Sequence, residues 1–197
     1  YPIKNNYDNN IQIIDDLRNS LMITENHHIN ETFIILGLIF IYDCCLRFIF
    51  GSKARWFQLH AFINLIITID ILPSIIKIIS DPETGYALLS NHTASYYVLC
   101  LHCYHLIAFK NLGFYDYFHH FVFIGMGTMP SILWLNYNQI YLAYIACAGI
   151  PGIIEYSALS LYKNNVISLY TQKYTNTLLY IFLRFPLCIY GVSMNMF

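Results

Sequence analysis

The sequence predicts an all-α, polytopic membrane bundle of about six transmembrane helices, because charge is scarce and apolar runs are long. Of its 197 residues, 57% are hydrophobic and only 11% are charged, whereas soluble domains carry about 25% charged residues. A soluble fold of this length still exposes a large share of its area to water. The composition therefore indicates lipid as the solvent.

Six stretches are apolar enough to span a bilayer, which takes about 20 residues each. They lie at 33–50, 57–80, 94–110, 118–136, 139–162 and 175–196. Lipid admits only helices or closed barrels, and the alternating pattern of barrel strands is absent, so we expect helices. The chain divides into a polar N-terminal segment, residues 1–32, and a transmembrane bundle, residues 33–197.

Basic residues in short loops predict the orientation of the bundle. Five of them fall in or beside three loops on one side of the predicted membrane: Lys53, Arg55, Lys110, Lys163 and Lys173. By the positive-inside rule this side is cytosolic. Both termini should then be lumenal, as should the glycosylation sequons at Asn30 and Asn91, of which Asn91 lies farther from the membrane.

Charge and cysteines exclude several other classes of protein. The net charge is −1, which provides no field that would recruit nucleic acid. All six cysteines fall in apolar segments. Cys100 and Cys103 have the spacing of a redox or zinc motif, but no second cysteine pair accompanies them, so we interpret them as small packing residues.

Ionisable side chains inside spans are costly, and they usually face a bundle interior or a cavity. Asp43 and Arg47 are one helical turn apart, which predicts a structural ion pair. Arg184, at mid-depth in the last predicted helix, is placed to counter Glu155 in the preceding one.

Histidines and a glutamate from four predicted helices share one depth, within roughly 12 Å of the cytosolic face. They are His60, His102, His105, His119, His120 and Glu155, with His102 one turn deeper than His105. We expect all of them except His102 to converge on one cavity open to the cytosol. Imidazole accepts a proton near neutral pH, which suits a general base. The alternatives are that His119 and His120 sit at the wet membrane edge and that His102 is a core residue. Adjacent residues point about 100° apart on a helix, so one of the His119–His120 pair could be buried and the other not.

Three strings in order carry a family resemblance. "ARWFQLHAFINLI" opens one helix, "FYDYFHHF" opens a later one, and "GIPGIIEYSALSL" follows. Residues 52–190 resemble the TLC membrane family, which includes the ceramide synthases. The resemblance implies a multi-pass protein of the endoplasmic reticulum, with a bundle around a lipid-accessible cavity. It also implies an acyltransferase of sphingolipid metabolism, which moves an acyl group from acyl-CoA to a sphingoid amine.

The resemblance assigns catalysis to the His119–His120 pair, with Asp116 one turn before it to orient a ring N–H. Residues expected to bind or orient substrate are His60, His102, His105, Glu155 and Arg184. The chain departs from the synthases in offering only Glu155 where they carry paired Asp residues.

The resemblance implies membrane lipids and acyl-CoA as ligands, with no cofactor and no nucleic acid, and it is compatible with a homodimer. Di-iron histidine boxes are absent, so we predict no resident metal, although three histidines and a carboxylate suffice for one zinc ion. Four functions stay open. They are acyl transfer, lipid binding or regulation of membrane lipid without catalysis, metal-dependent hydrolysis or hydroxylation of lipid, and transport.

Overall fold

The structure is a computed structural model that describes residues 29–134 and 138–194, and helices make up most of this part. The helices are α1 Ile29–Phe50, α2 Arg55–Ser80, α3 Pro82–Ala87, α4 Thr93–Ala108, α5 Phe114–Val122, α6 Met129–Trp134, α7 Gln139–Cys147, α8 Ile150–Lys163, α9 Leu169–Leu179 and α10 Phe185–Met194. Two π-helical segments, Phe123–Thr128 and Tyr180–Arg184, join α5 to α6 and α9 to α10. Most of the predicted segment 1–32 lies outside the described residues.

Four helical runs in the described residues are long and apolar enough to cross a membrane. They are Ile29–Phe50, Arg55–Ser80, Gln139–Lys163 and Leu169–Met194. These runs indicate a multi-pass membrane protein. The other two predicted spans, α4 and the α5–α6 run, are not among them. The α4 helix has 16 residues, about 24 Å of rise, against a hydrocarbon layer of about 30 Å.

The boundaries of the first and last helices differ from the prediction. The α1 helix begins at Ile29 rather than 33. The last run begins at Leu169 rather than 175, because Ser168 caps it, with its hydroxyl accepting from the Thr171 N–H at 3.0 Å. This cap satisfies a donor that would otherwise lack a partner, and so fixes where the helix starts.

The predicted helix 139–162 is interrupted between α7 and α8. Pro151 has no N–H to donate to the carbonyl of Cys147, four residues earlier, so a continuous α-helix would leave that carbonyl unpaired. In the structure the Cys147 carbonyl accepts from Nη2 of Arg184 at 3.4 Å. The break in this run therefore provides a docking point for the last helix.

Each π-helical segment ends two residues before a proline. Pro130 and Pro186 cannot donate to the carbonyls of Met126 and Phe182, and each of these carbonyls lies inside a π segment. The wider π turn accommodates the lost hydrogen bond without ending the helix. The two long runs therefore stay continuous through their prolines.

The α2 helix forms the centre of the bundle. Its residues with no exposed area recur every four positions, at Leu59, Ile63, Ile67 and Ile71. The α8 helix packs closely on α2 at Gly152. A Cβ atom added there would lie only 2.5 Å from Nδ2 of Asn64, so a larger residue would not fit. Many large apolar side chains of the outer helices remain exposed, as expected where lipid covers them.

The predicted Asp43–Arg47 pair is wrong. Asp43 is 1% exposed and pairs with Arg55 at the start of α2, whose Nε donates to Oδ1 at 2.5 Å and whose Nη2 donates to Oδ2. The Tyr104 hydroxyl also donates to Oδ2, at 2.6 Å. Arg47 is exposed. A two-pronged guanidinium contact with the carboxylate is stronger than a single contact one helical turn away.

Candidate functional site

Five histidines from α2, α4 and α5 form one cluster. Successive ring centroids are 6.0 Å apart for His60 and His105, 4.4 Å for His105 and His120, 4.9 Å for His120 and His102, and 5.8 Å for His102 and His119. The α4 helix contributes two of them because His102 and His105 are three residues apart and so share a face. The histidines meet as their shared depth predicted, but His105 and His120 are not among the residues that line the cavity described below.

The adjacent pair on α5 splits between two environments. His120 is 1% exposed and packs against α4, whereas His119 is exposed on the neighbouring side of the helix. The 100° rotation per residue separates them as anticipated. Of the two, His119 is therefore the one that a ligand can touch directly.

An apolar cavity of about 550 Å³ adjoins the cluster, a volume typical of small-molecule and cofactor sites. Its lining includes His60, His102 and His119 at one end, and Ile67 farther along α2. His105 was expected to face this cavity, but it packs behind it. The indole of Trp56 stacks on the His105 ring instead.

Glu155 and Arg184 line the same cavity and pair with each other, as predicted. Nη2 of Arg184 donates to Oε2 of Glu155 at 2.5 Å, and both side chains are largely buried, at 16% and 17% exposed. The guanidinium carbon also lies 4.8 Å from the centre of the Tyr180 ring. The Glu155 carboxylate is therefore paired with Arg184 rather than with a histidine.

Two histidines have a proton position that the backbone fixes. Nδ1 of His60 donates to the carbonyl of Trp56 at 3.0 Å, and Nδ1 of His102 donates to the carbonyl of Val98 at 2.7 Å. A neutral imidazole that donates from Nδ1 keeps the lone pair on Nε2. Each of these two histidines therefore offers Nε2 as a base or a ligand.

Three buried imidazole nitrogens have no hydrogen-bond partner among the described residues. They are Nε2 of His60, Nδ1 of His105 and Nδ1 of His120. A buried polar atom left unpaired costs about 1–3 kcal/mol. Such atoms concentrated in one cluster point to a ligand, since native cores rarely tolerate them otherwise.

Asp116 has a different partner from the one expected. Its Oδ2 accepts from the backbone N–H of Gly113 at 2.9 Å, which caps α5. That bond gives the carboxylate a role in starting the helix. Within the described ranges, no hydrogen bond joins Asp116 to a histidine ring to support the orienting role expected for it.

Sequence reasoning assigned no role in the site to two aromatic residues that contact the histidines. Trp56 contacts the rings of His60, His105 and His120, and Tyr156 lies 4.6 Å from His60 between ring centroids. The spacing of Trp56 and His60, one helical turn apart, was a usable signal for the first. Tyr156 follows Glu155 directly, but its direction depends on the close α2–α8 packing, which no local pattern encodes.

Comparison with known proteins gives no further assignment. No protein-family model, no curated protein and no solved structure matches the chain.

Proposed function

We propose that the protein transfers an acyl group from an acyl-CoA thioester to the amine of a sphingoid-type lipid inside the membrane, as the TLC-like resemblance implies. The observation that carries the proposal is the apolar cavity with His60, His102 and His119 together at one end. An acyl chain needs apolar walls, and the transfer needs a proton acceptor where the chain ends.

The shape of the cavity suits one lipid chain. From His60 to Ile67 the lining follows two turns of α2, roughly 10 Å of rise. Leu101, Phe123 and Phe185 add apolar wall from α4, the π segment after α5, and α10. In this proposal the acyl chain of the substrate lies along these side chains, and its thioester end lies at the histidines.

The chemistry assigns distinct roles to two histidines. The neutral amine nitrogen attacks the thioester carbonyl carbon, a C–N bond forms, and the C–S bond breaks. Nε2 of His60 takes the proton from the amine and returns it to the departing thiolate. His119 donates a hydrogen bond to the carbonyl oxygen as negative charge develops there.

The proposal includes a placement in the membrane. We propose six spans, with α4 and the α5–α6 run crossing as well as the four longer runs, an endoplasmic reticulum location and lumenal termini. The histidine end of the cavity then faces the cytosol, where the polar head of a CoA thioester is available.

The test is a direct assay of the purified protein. In vesicles supplied with palmitoyl-CoA and sphinganine, we expect the amide product by mass spectrometry. His60→Ala and His119→Ala should each lower the rate by about 10²-fold or more, the usual contribution of a proton-transfer group. The matched control is His92→Asn. His92 lies in the loop before α4 with φ 59°, a backbone conformation that Asn tolerates.

Two outcomes contradict the proposal. One is that the wild-type protein forms no amide with any acyl-CoA or sphingoid base offered. The other is that His119→Ala transfers at the wild-type rate.

Lipid binding without catalysis is the second candidate. It is favoured by the Glu155–Arg184 pair, which withholds the cavity's carboxylate from the histidines. A lipid that co-purifies at about one per chain, with no product in the assay, would establish this function in place of acyl transfer.

A further inference from the structure

We propose that His102, His119 and His120 together bind one zinc ion at the histidine end of the cavity. Each residue offers one ring nitrogen, and these three nitrogens all lie within 4.8 Å of one another. Zinc holds histidine nitrogens at about 2.0–2.1 Å, which places tetrahedral ligands about 3.4 Å apart. Rotations that move each ring by an ångström or less close that difference.

The partner of His102 is the one that a zinc ligand requires. Its Nδ1 donates to the Val98 carbonyl at 2.7 Å. Metal-bound histidines nearly always donate their other ring N–H to a carbonyl, carboxylate or water, because this fixes the tautomer and strengthens the ligand. Nε2 of His102 is thereby prepared for a metal by the α4 backbone itself.

His120 supplies an independent observation. It is 1% exposed, and its Nδ1 has no partner in the part of the chain that the structure describes. Its ring lies 4.9 Å from that of His102 and 5.3 Å from that of His119. Coordination through Nδ1 would replace the cost of an unpaired buried nitrogen with a metal bond.

The fourth position of a tetrahedral ion would open into the cavity, because His102 and His119 both line it. Three protein ligands and one open position are the arrangement of catalytic zinc, whereas structural zinc has four protein ligands. Imidazole ligands without thiolate also suit zinc.

The sequence alone predicts no resident metal, and the proposed ion reverses that expectation. The sequence contains no histidine box, because His102 lies 17 residues before His119 and short metal motifs place their ligands only a few residues apart. Only the packing of α4 against α5 brings the three together.

The role of the ion rests on the proposed function. A zinc ion held by His102, His119 and His120 would polarise the thioester carbonyl oxygen as a Lewis acid. Its effect on that oxygen would replace the direct hydrogen bond from His119. The remaining protonic steps are unchanged. The amine proton passes to His60, a C–N bond forms and the C–S bond breaks.

The experiment measures metal directly. The protein, purified without a polyhistidine tag and without chelators, is analysed for elements after dialysis against a zinc buffer. We expect about one zinc per chain in the wild type and a trace in His102→Ala, His119→Ala and His120→Ala. His60→Ala and His105→Ala, which change neighbouring rings of the same cluster, should keep the zinc.

A second measurement uses only the wild-type protein, so it does not depend on whether the variants fold. Replacement of zinc by Co²⁺ in the wild-type protein should give the strong visible absorption of a tetrahedral ion, and added zinc should remove it. A wild-type protein without stoichiometric zinc, with stoichiometric iron in its place, or without that absorption overturns the proposal. Retention of zinc in folded His102→Ala does so as well.

The two proposals fail separately. If the protein contains no zinc and still forms the amide in the presence of a chelator, the metal site is contradicted and acyl transfer is supported. One zinc per chain with release of free fatty acid and no amide leaves the metal site and contradicts acyl transfer.

Discussion

Arg184 donates to Glu155 at 2.5 Å, and this contact joins the π segment of the last helical run to α8 across the cavity. The same guanidinium reaches the Cys147 carbonyl that Pro151 leaves unpaired. The Arg184 side chain thus holds Leu169–Met194, the least buried of the four long runs, against the break between α7 and α8.

Removal of one partner of this pair should destabilise the protein more than removal of both. Arg184→Met leaves a largely buried carboxylate without its cation, at a cost on the order of 3 kcal/mol in the free energy of unfolding. The double variant Glu155→Gln/Arg184→Met should recover most of the loss. Thermal unfolding of the purified protein measures both.

The control is Lys77→Met. Lys77 pairs with Asp81, but those side chains are 42% and 41% exposed, so removal of the lysine should change stability by about 1 kcal/mol or less. If Arg184→Met and Lys77→Met lower the free energy of unfolding equally, the Glu155–Arg184 pair contributes no more to stability than an exposed ion pair.

Arg55 and Arg47 offer a comparison between the observed and the expected partner of Asp43. Arg55→Ala leaves the buried Asp43 carboxylate with only the Tyr104 hydroxyl and should cost on the order of 3 kcal/mol. Arg47→Ala, at an exposed position, should stay within about 0.5 kcal/mol. Melting temperatures of the two variants decide between the pairs, and a larger loss in Arg47→Ala would restore the one-turn pairing.

Several features of the fold could be predicted from the sequence because they depend on composition and depth. The helical class, the meeting of the histidines and the Glu155–Arg184 pair follow from apolar length and from residues at similar height. The partner of Asp43 could not be predicted, because a contact between α1 and α2 competes with the one-turn neighbour. His105 was misplaced for the same reason, since the position of the Trp56 indole depends on tertiary packing.

Single cysteines should establish the number of spans. In a background without native cysteines, we expect Ser52→Cys and Leu112→Cys to label from the cytosolic side and Ser90→Cys from the lumenal side. Leu112 separates six spans from four, because it lies between α4 and α5. If it labels together with Ser90, those helices do not cross, and the proposal of six spans fails.

The thiol of Cys188 should report occupancy of the cavity. Cys188 lines it, so a small maleimide should label it when it is the sole cysteine, and a bound sphingoid base should slow the labelling. Ser90→Cys, outside the cavity, should label at an unchanged rate as the sole cysteine. Equal slowing at both positions would indicate a general effect of the lipid on the bilayer.

The two π segments make each of their helical runs one residue longer than an α-helix with the same end points. The cavity arginine or the histidines of the cluster lie before or within the wide turn in each run: His119 and His120 precede one, and Arg184 ends the other. An alignment with a relative whose helix is α throughout will therefore need a single-residue gap in Phe123–Thr128 and another in Tyr180–Arg184. Without those gaps, residues beyond the turn are compared with positions on the wrong face of the helix.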